Sequence, residues 1–147
     1  MVIETTKEAI AGCSDNSSDD ENEEGDNINI HQINLKAALA SLYERQGRYE
    51  LAEPLCIECL EARKTKLGLD HPDTLGSINN LALLYSRQGR YELAEPLYIE
   101  CLEGRKTKLG LDHPDTLQSI NNLAVLYYSQ GRYELAEFVV SSLVPLL

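Results

Sequence analysis

A chain of 147 residues with 43% hydrophobic and 25% charged residues has room for one ordinary domain and its core. The net charge of −11 is unevenly placed: residues 1–28 hold nine acids and one lysine (−8), leaving fifteen acids and twelve bases (−3) for residues 29–147. The body offers no basic run longer than Arg63-Lys64-Thr65-Lys66 and its copy at 105–108. A phosphate backbone needs a basic face, so nucleic-acid binding is excluded.

No apolar run approaches the roughly 20 residues that span a bilayer, and the first residues lack the basic-then-apolar order of a secretion signal. A soluble, unexported, cytoplasmic protein is expected. The cysteines, Cys13, Cys56, Cys59 and Cys101, have no matched pairing pattern, and reduced thiols are expected.

Taken in order, the chain opens on an acidic leader. Ser14 to Asp26 contains no apolar side chain, so ordering it would cost backbone entropy with nothing buried in return. Residues 1–28 are expected to be a disordered acidic tail, solvating or regulatory. Ser17 and Ser18 each have an acid three residues on, Asp20 and Glu21, as acid-directed kinases prefer.

From residue 29 a period takes over. His71-Pro72-Asp73-Thr74-Leu75 returns at His113 to Leu117, and Gly-Arg-Tyr-Glu-Leu-Ala-Glu opens at Gly47, Gly89 and Gly131, a step of 42 residues each time. A fixed period of that size marks stacked supersecondary units.

Within the unit, Leu75, Ile78, Leu81, Ala82 and Tyr85 fall on one face of a helix A over roughly 72–88. Pro72 suits its first turn and Gly89 its left-handed stop. Tyr91, Ala94, Tyr98, Cys101, Leu102 and Arg105 continue as the inward stripe of a helix B ending at Gly110, with Pro96 in its second turn. The expected fold is therefore all-α, a right-handed superhelix or solenoid of antiparallel helix pairs in about three repeats: 29–70, 71–112 and 113–147.

The order small-Leu-Ala-x-x-Tyr, Gly-x-Tyr, then Ala-x-x-x-aromatic resembles tetratricopeptide repeats. The 42-residue form, with H-P-D-T-L, N-N-L-A-x-L-Y, Q-G-R-Y-E-x-A-E-P-L and R-K-T-K-L-G-x-D, is similar to the kinesin light chain type. The resemblance covers residues 29–147 and implies a scaffold or adaptor that binds other proteins. By the same resemblance, helix A asparagines contact the backbone of a bound peptide, and an acidic segment beside the array regulates it.

The copies depart from one another in informative places. The second and third differ between 71–95 and 113–137 only at Gly76/Gln118, Leu83/Val125, Ser86/Tyr128 and Arg87/Ser129, the uniformity of a repeated scaffold. The first is atypical: Asn29-Ile30-His31-Gln32-Ile33 replaces the H-P-D-T-L start, and Ala37-Ala38 replaces Asn79-Asn80. Residues 138–147 match nothing in 96–105, which reads as a specialised cap or a truncation. Pro145 should break the last helix, and that apolar end admits self-association.

A helical projection turns Ile78, Leu81, Ala82 and Tyr85 towards helix B. It leaves Asn79, Asn80 and Arg87, with Asn121, Asn122, Gln118 and Tyr128 in the next copy and Arg45 in the previous one, on an inner groove. An asparagine carries both donor and acceptor and suits an extended backbone whatever its side chains. The arginines suit a carboxylate, hence short extended, acidic peptide segments as partners.

By contrast, Cys56-x-x-Cys59 lies on the inward stripe and is expected to pack rather than to bind zinc. His71 and His113 are expected to cap helices, Tyr49, Tyr91 and Tyr133 to sit in helix-pair cores, and the glycines to stop helices. The chain has no nucleophile with a placed base, no H-E-x-x-H and no phosphate loop. No catalytic residue, cofactor or metal is expected, and no enzyme. The alternative function is a structural or oligomerisation module, or a fragment of a longer repeat protein.

Overall fold

The computed structural model describes residues 29–143; the acidic leader, its serines and Pro145 lie outside them. The described residues form helices α1 (Ile30–Arg45), α2 (Tyr49–Leu67), α3 (Pro72–Arg87), α4 (Tyr91–Leu109), α5 (Pro114–Ser129) and α6 (Tyr133–Leu143). No described residue is in a strand. The chain divides into two compact units, one up to Lys66 and the other from Leu67.

Each A helix starts on a side-chain cap that satisfies one of its orphan amides. The Nδ1 of His71 accepts from the Asp73 amide at 3.1 Å and that of His113 from the Asp115 amide at 3.1 Å, while Asn29 Oδ1 takes the His31 amide at 3.0 Å. Pro72 and Pro114 follow where a missing N–H is no loss.

Each A helix also ends in the same way. Gly47, Gly89 and Gly131 have φ of 73°, 74° and 75°. The next arginine amide returns to the tyrosine carbonyl five residues back, Arg48 to Tyr43 and Arg90 to Tyr85 at 2.9 Å and Arg132 to Tyr127 at 2.8 Å. This is the Schellman closure, which turns the chain directly into the next helix. The guanidinium then lies over the tyrosine ring, 5.1 Å from the centroid for Arg48 and 4.7 Å for Arg90 and Arg132.

In the first unit, the Cys59 thiol of α2 reaches the Ile33 carbonyl of α1 at 3.4 Å. Arg63 Nη2 donates to Asn34 Oδ1 at 2.9 Å, and Lys36 pairs with Glu58. In the second unit Cys101 repeats the contact, its thiol 3.3 Å from the Leu75 carbonyl. The expected core is present: Ile78, Leu81, Ala82, Tyr85, Ala94, Tyr98, Cys101, Leu102 and Arg105 are all buried.

Two expectations are corrected. Tyr49 and Tyr91 are half-buried and Tyr133 is exposed; the core tyrosines are Tyr43, Tyr85, Tyr98 and Tyr127. The Tyr49/Tyr91/Tyr133 position opens helix B, at the rim of the pair rather than along its seam. Not every glycine stops a helix: Gly104 lies inside α4, where a Cβ would stand 2.5 Å from Leu75 Cδ2. Beyond the stripe facing α4, α3 also buries Ser77 and Leu84, as α5 buries their copies Ser119 and Leu126.

Candidate functional site

The second unit holds the candidate surface, carried by α3 and α5. These two helices are tied side by side by an amide pair: Asn122 Nδ2 donates to Asn79 Oδ1 at 2.9 Å. Asn79 is 7% exposed. The projection that turned it to the groove is therefore corrected, since a helix inside a stack is covered by its own partner and by the following repeat. Asn79 acts as the acceptor that orients Asn122, which is half-buried.

The remaining expected residues lie at the surface. Asn80 and Arg87 of α3 are exposed, as are Gln118, Asn121 and Tyr128 of α5. Asn121, the copy of Asn79, is exposed because no described element covers α5 as α5 covers α3. Tyr128 is 65% exposed, its ring edge-on to Tyr133 with centroids 5.0 Å apart. Arg45 is exposed in the last turn of α1, in the other unit.

Two polar junctions that the pattern alone did not disclose hold this surface in place. Arg105, at the end of α4 and 8% exposed, donates from Nη1 to Ser119 Oγ at 2.9 Å, the Asp115 carbonyl at 3.2 Å and Gln118 Oε1 at 3.3 Å. A buried guanidinium is thus met by neutral acceptors. Its place on the inward stripe was the only sequence signal.

The second junction centres on Glu95 of α4. The Tyr127 hydroxyl donates to Oε1 at 2.9 Å and Arg132 Nη1 to Oε2 at 3.2 Å. Burial, with the hydrogen bond and charge of Glu95, raises the Tyr127 pKa from 10.0 to about 12.

The thiols are set against reactivity. Burial, then the neighbouring Cys59 and the carboxylates of Glu44 and Glu53, pushes the Cys56 thiol from 9.0 to about 12, and burial raises Cys59 and Cys101 as well. A thiol held protonated is a poor nucleophile and metal ligand. Among the described residues no three His, Cys, Asp or Glu side chains converge on a metal position. No described helix is long and apolar enough to cross a membrane.

The tetratricopeptide repeat profile matches residues 32–107 and 75–140. No curated protein sequence is significantly similar to the chain. Among solved structures, a kinesin light chain-like protein of nearly identical TPR-like repeats from Podosopora anserina aligns with a TM-score of 0.81 at 21% identity, covering 97% of this chain and 64% of its own. A single-substitution variant of that protein gives 0.78 at 22%, over 97% and 63%. BtubC (BKLC) from P. vanneervenii gives 0.73 at 23%, over 97% and 54%.

The chain thus spans between about half and two thirds of the length of these structures, and at such identities the likeness speaks for the fold. That fold is the all-α class of helical repeats with kinesin light chain-like neighbours, as the 42-residue period led one to expect. With profile matches together spanning 32–140 and the caps, glycine closures and buried stripes recurring in register, this chain belongs to the tetratricopeptide repeat family.

Proposed function

We propose that this chain is a protein-interaction scaffold whose A-helix surface on the second unit binds an extended peptide segment of a partner. Tetratricopeptide repeats mediate protein–protein interaction in general and are typically not enzymes. The observation that carries the finer reading is the Asn79–Asn122 bond. It ties two A helices together, and the amides of Asn80, Gln118 and Asn121 on them are exposed, donors and acceptors suited to a peptide backbone. Arg87 and Tyr128 lie on the same two helices, and Arg87 favours an acidic segment.

The test separates binding from folding. With a displayed library of unstructured acidic peptides as probe, Asn80→Ala with Asn121→Ala is expected to weaken capture about tenfold or more, the loss of two net hydrogen bonds, with little change in thermal stability. A fall in stability with capture retained per folded molecule would return both residues to a packing role.

The leader deepens the proposal. It is tethered to the array, so its carboxylates are at high effective concentration near the arginines and would compete with an acidic ligand. Deleting residues 1–28 is expected to raise affinity for the captured peptide, most at low salt; unchanged affinity would dispose of the regulation and leave the groove standing.

A further inference from the structure

The junction between the second and third repeats sets what one repeat of this chain presents to the next. Glu95 receives the Tyr127 hydroxyl and Arg132. On the same helices Tyr98 of α4 is 3% exposed, and Ser119 and Leu126 of α5 are 1% exposed. Shifting these positions by whole repeats shows the same contact surface, uncovered among the described residues, at both ends of the array.

On the third repeat, Glu95 becomes Glu137, which is exposed, and Tyr98 becomes Val140, 43% exposed. Val125 and Tyr128 stand open beside them, and these four side chains with Ala124, Ala136 and Ser141 line a shallow cavity of about 480 Å³. On the first repeat, Arg132 becomes Arg48, exposed, and Asn122 becomes Ala38, exposed. Ser119 becomes Leu35 and Leu126 becomes Leu42, both half-buried. That face is more apolar than its internal counterpart, having exchanged serine and asparagine for leucine and alanine.

We propose that a second copy of this chain occupies the open face of the third repeat head to tail, its α1 seated on α5 and α6 in the register in which α5 sits on α3 and α4, and its Arg48 reaching Glu137. Charge selects this occupant. The same face of another copy would set Glu137 against Glu137, and the leader, with its −8 charge, would meet Glu137 with like sign. The contact is heterologous, so each added copy leaves one face open at either end and assembly grows with concentration.

Sedimentation of the full chain over a concentration series tests this. The mass of the wild type is expected to rise with concentration, and Arg48→Glu and Glu137→Arg each to associate about tenfold more weakly or less. Circular dichroism should be unchanged, since both positions are exposed.

An equimolar mixture of the two variants is expected to regain open-ended growth with the two chains alternating, because every contact between unlike chains then sets opposite charges at positions 48 and 137. Both changes in one chain should restore open-ended growth. A wild type that stays monomeric, an Arg48→Glu variant that associates as the wild type does, or a mixture that gains nothing would each overturn the proposal.

Discussion

Asn79 and Asn122 show how two identical dipeptides acquire different work. Asn79 is buried as an acceptor and Asn122 reaches across to it, while Asn80 and Asn121 remain exposed. Asn79→Ala is expected to cost about 1 kcal/mol, because it orphans a donor that water can partly reach. Urea unfolding against the Asn122→Ala and double variants would measure the coupling.

Tyr127 gives a pH signature at the same scale. Its folded pKa is raised from 10.0 to about 12, so the folded state holds its proton longer than the unfolded state does. The contribution is fully present below pH 10 and declines as pH rises towards 12. The stability gap between wild type and Tyr127→Phe is expected to narrow across that window. A constant gap would mean that neither burial nor Glu95 holds the proton on the hydroxyl in the folded state.

At the scale of the element, the boundaries were legible because they rest on local chemistry. His71-Pro72 starts α3, Gly89 stops it and Gly110 stops α4, and these residues announce their conformations without reference to the rest of the fold. At Gly89 a Cβ would meet nothing within 4 Å, so the cost of substitution is backbone strain alone. Gly89→Ala is expected to lose about 1–2 kcal/mol, read as a lower urea midpoint with an unchanged slope.

The burial of Asn79, Ser77 and Leu84 was not legible from one helix. A wheel describes the face turned to the sequence-adjacent partner, whereas Asn79 meets a helix that begins some forty residues later, and Ser77 and Leu84 are buried as their copies Ser119 and Leu126 are. The same limit hid the Arg105 and Glu95 junctions, whose partners lie on α5 and in the turn after it.

For the whole molecule, repetition fixes the fold class, and small departures distinguish one copy from the next. Gly76, Leu83, Ser86 and Arg87 become Gln118, Val125, Tyr128 and Ser129, and every one of these changes falls on the A helix. Between 71–95 and 113–137 the stripe that α3 turns to α4 stays constant while half-buried and exposed positions of the A helix vary, as expected if that side meets a partner. The most direct measurement is nuclear magnetic resonance of the side-chain amides during titration with a captured acidic peptide. The amides of Asn80, Gln118 and Asn121 are expected to shift strongly and saturate together, with the Asn122 amide moving less. Shifts confined to α4 and α6, with those amides unmoved, would contradict the account.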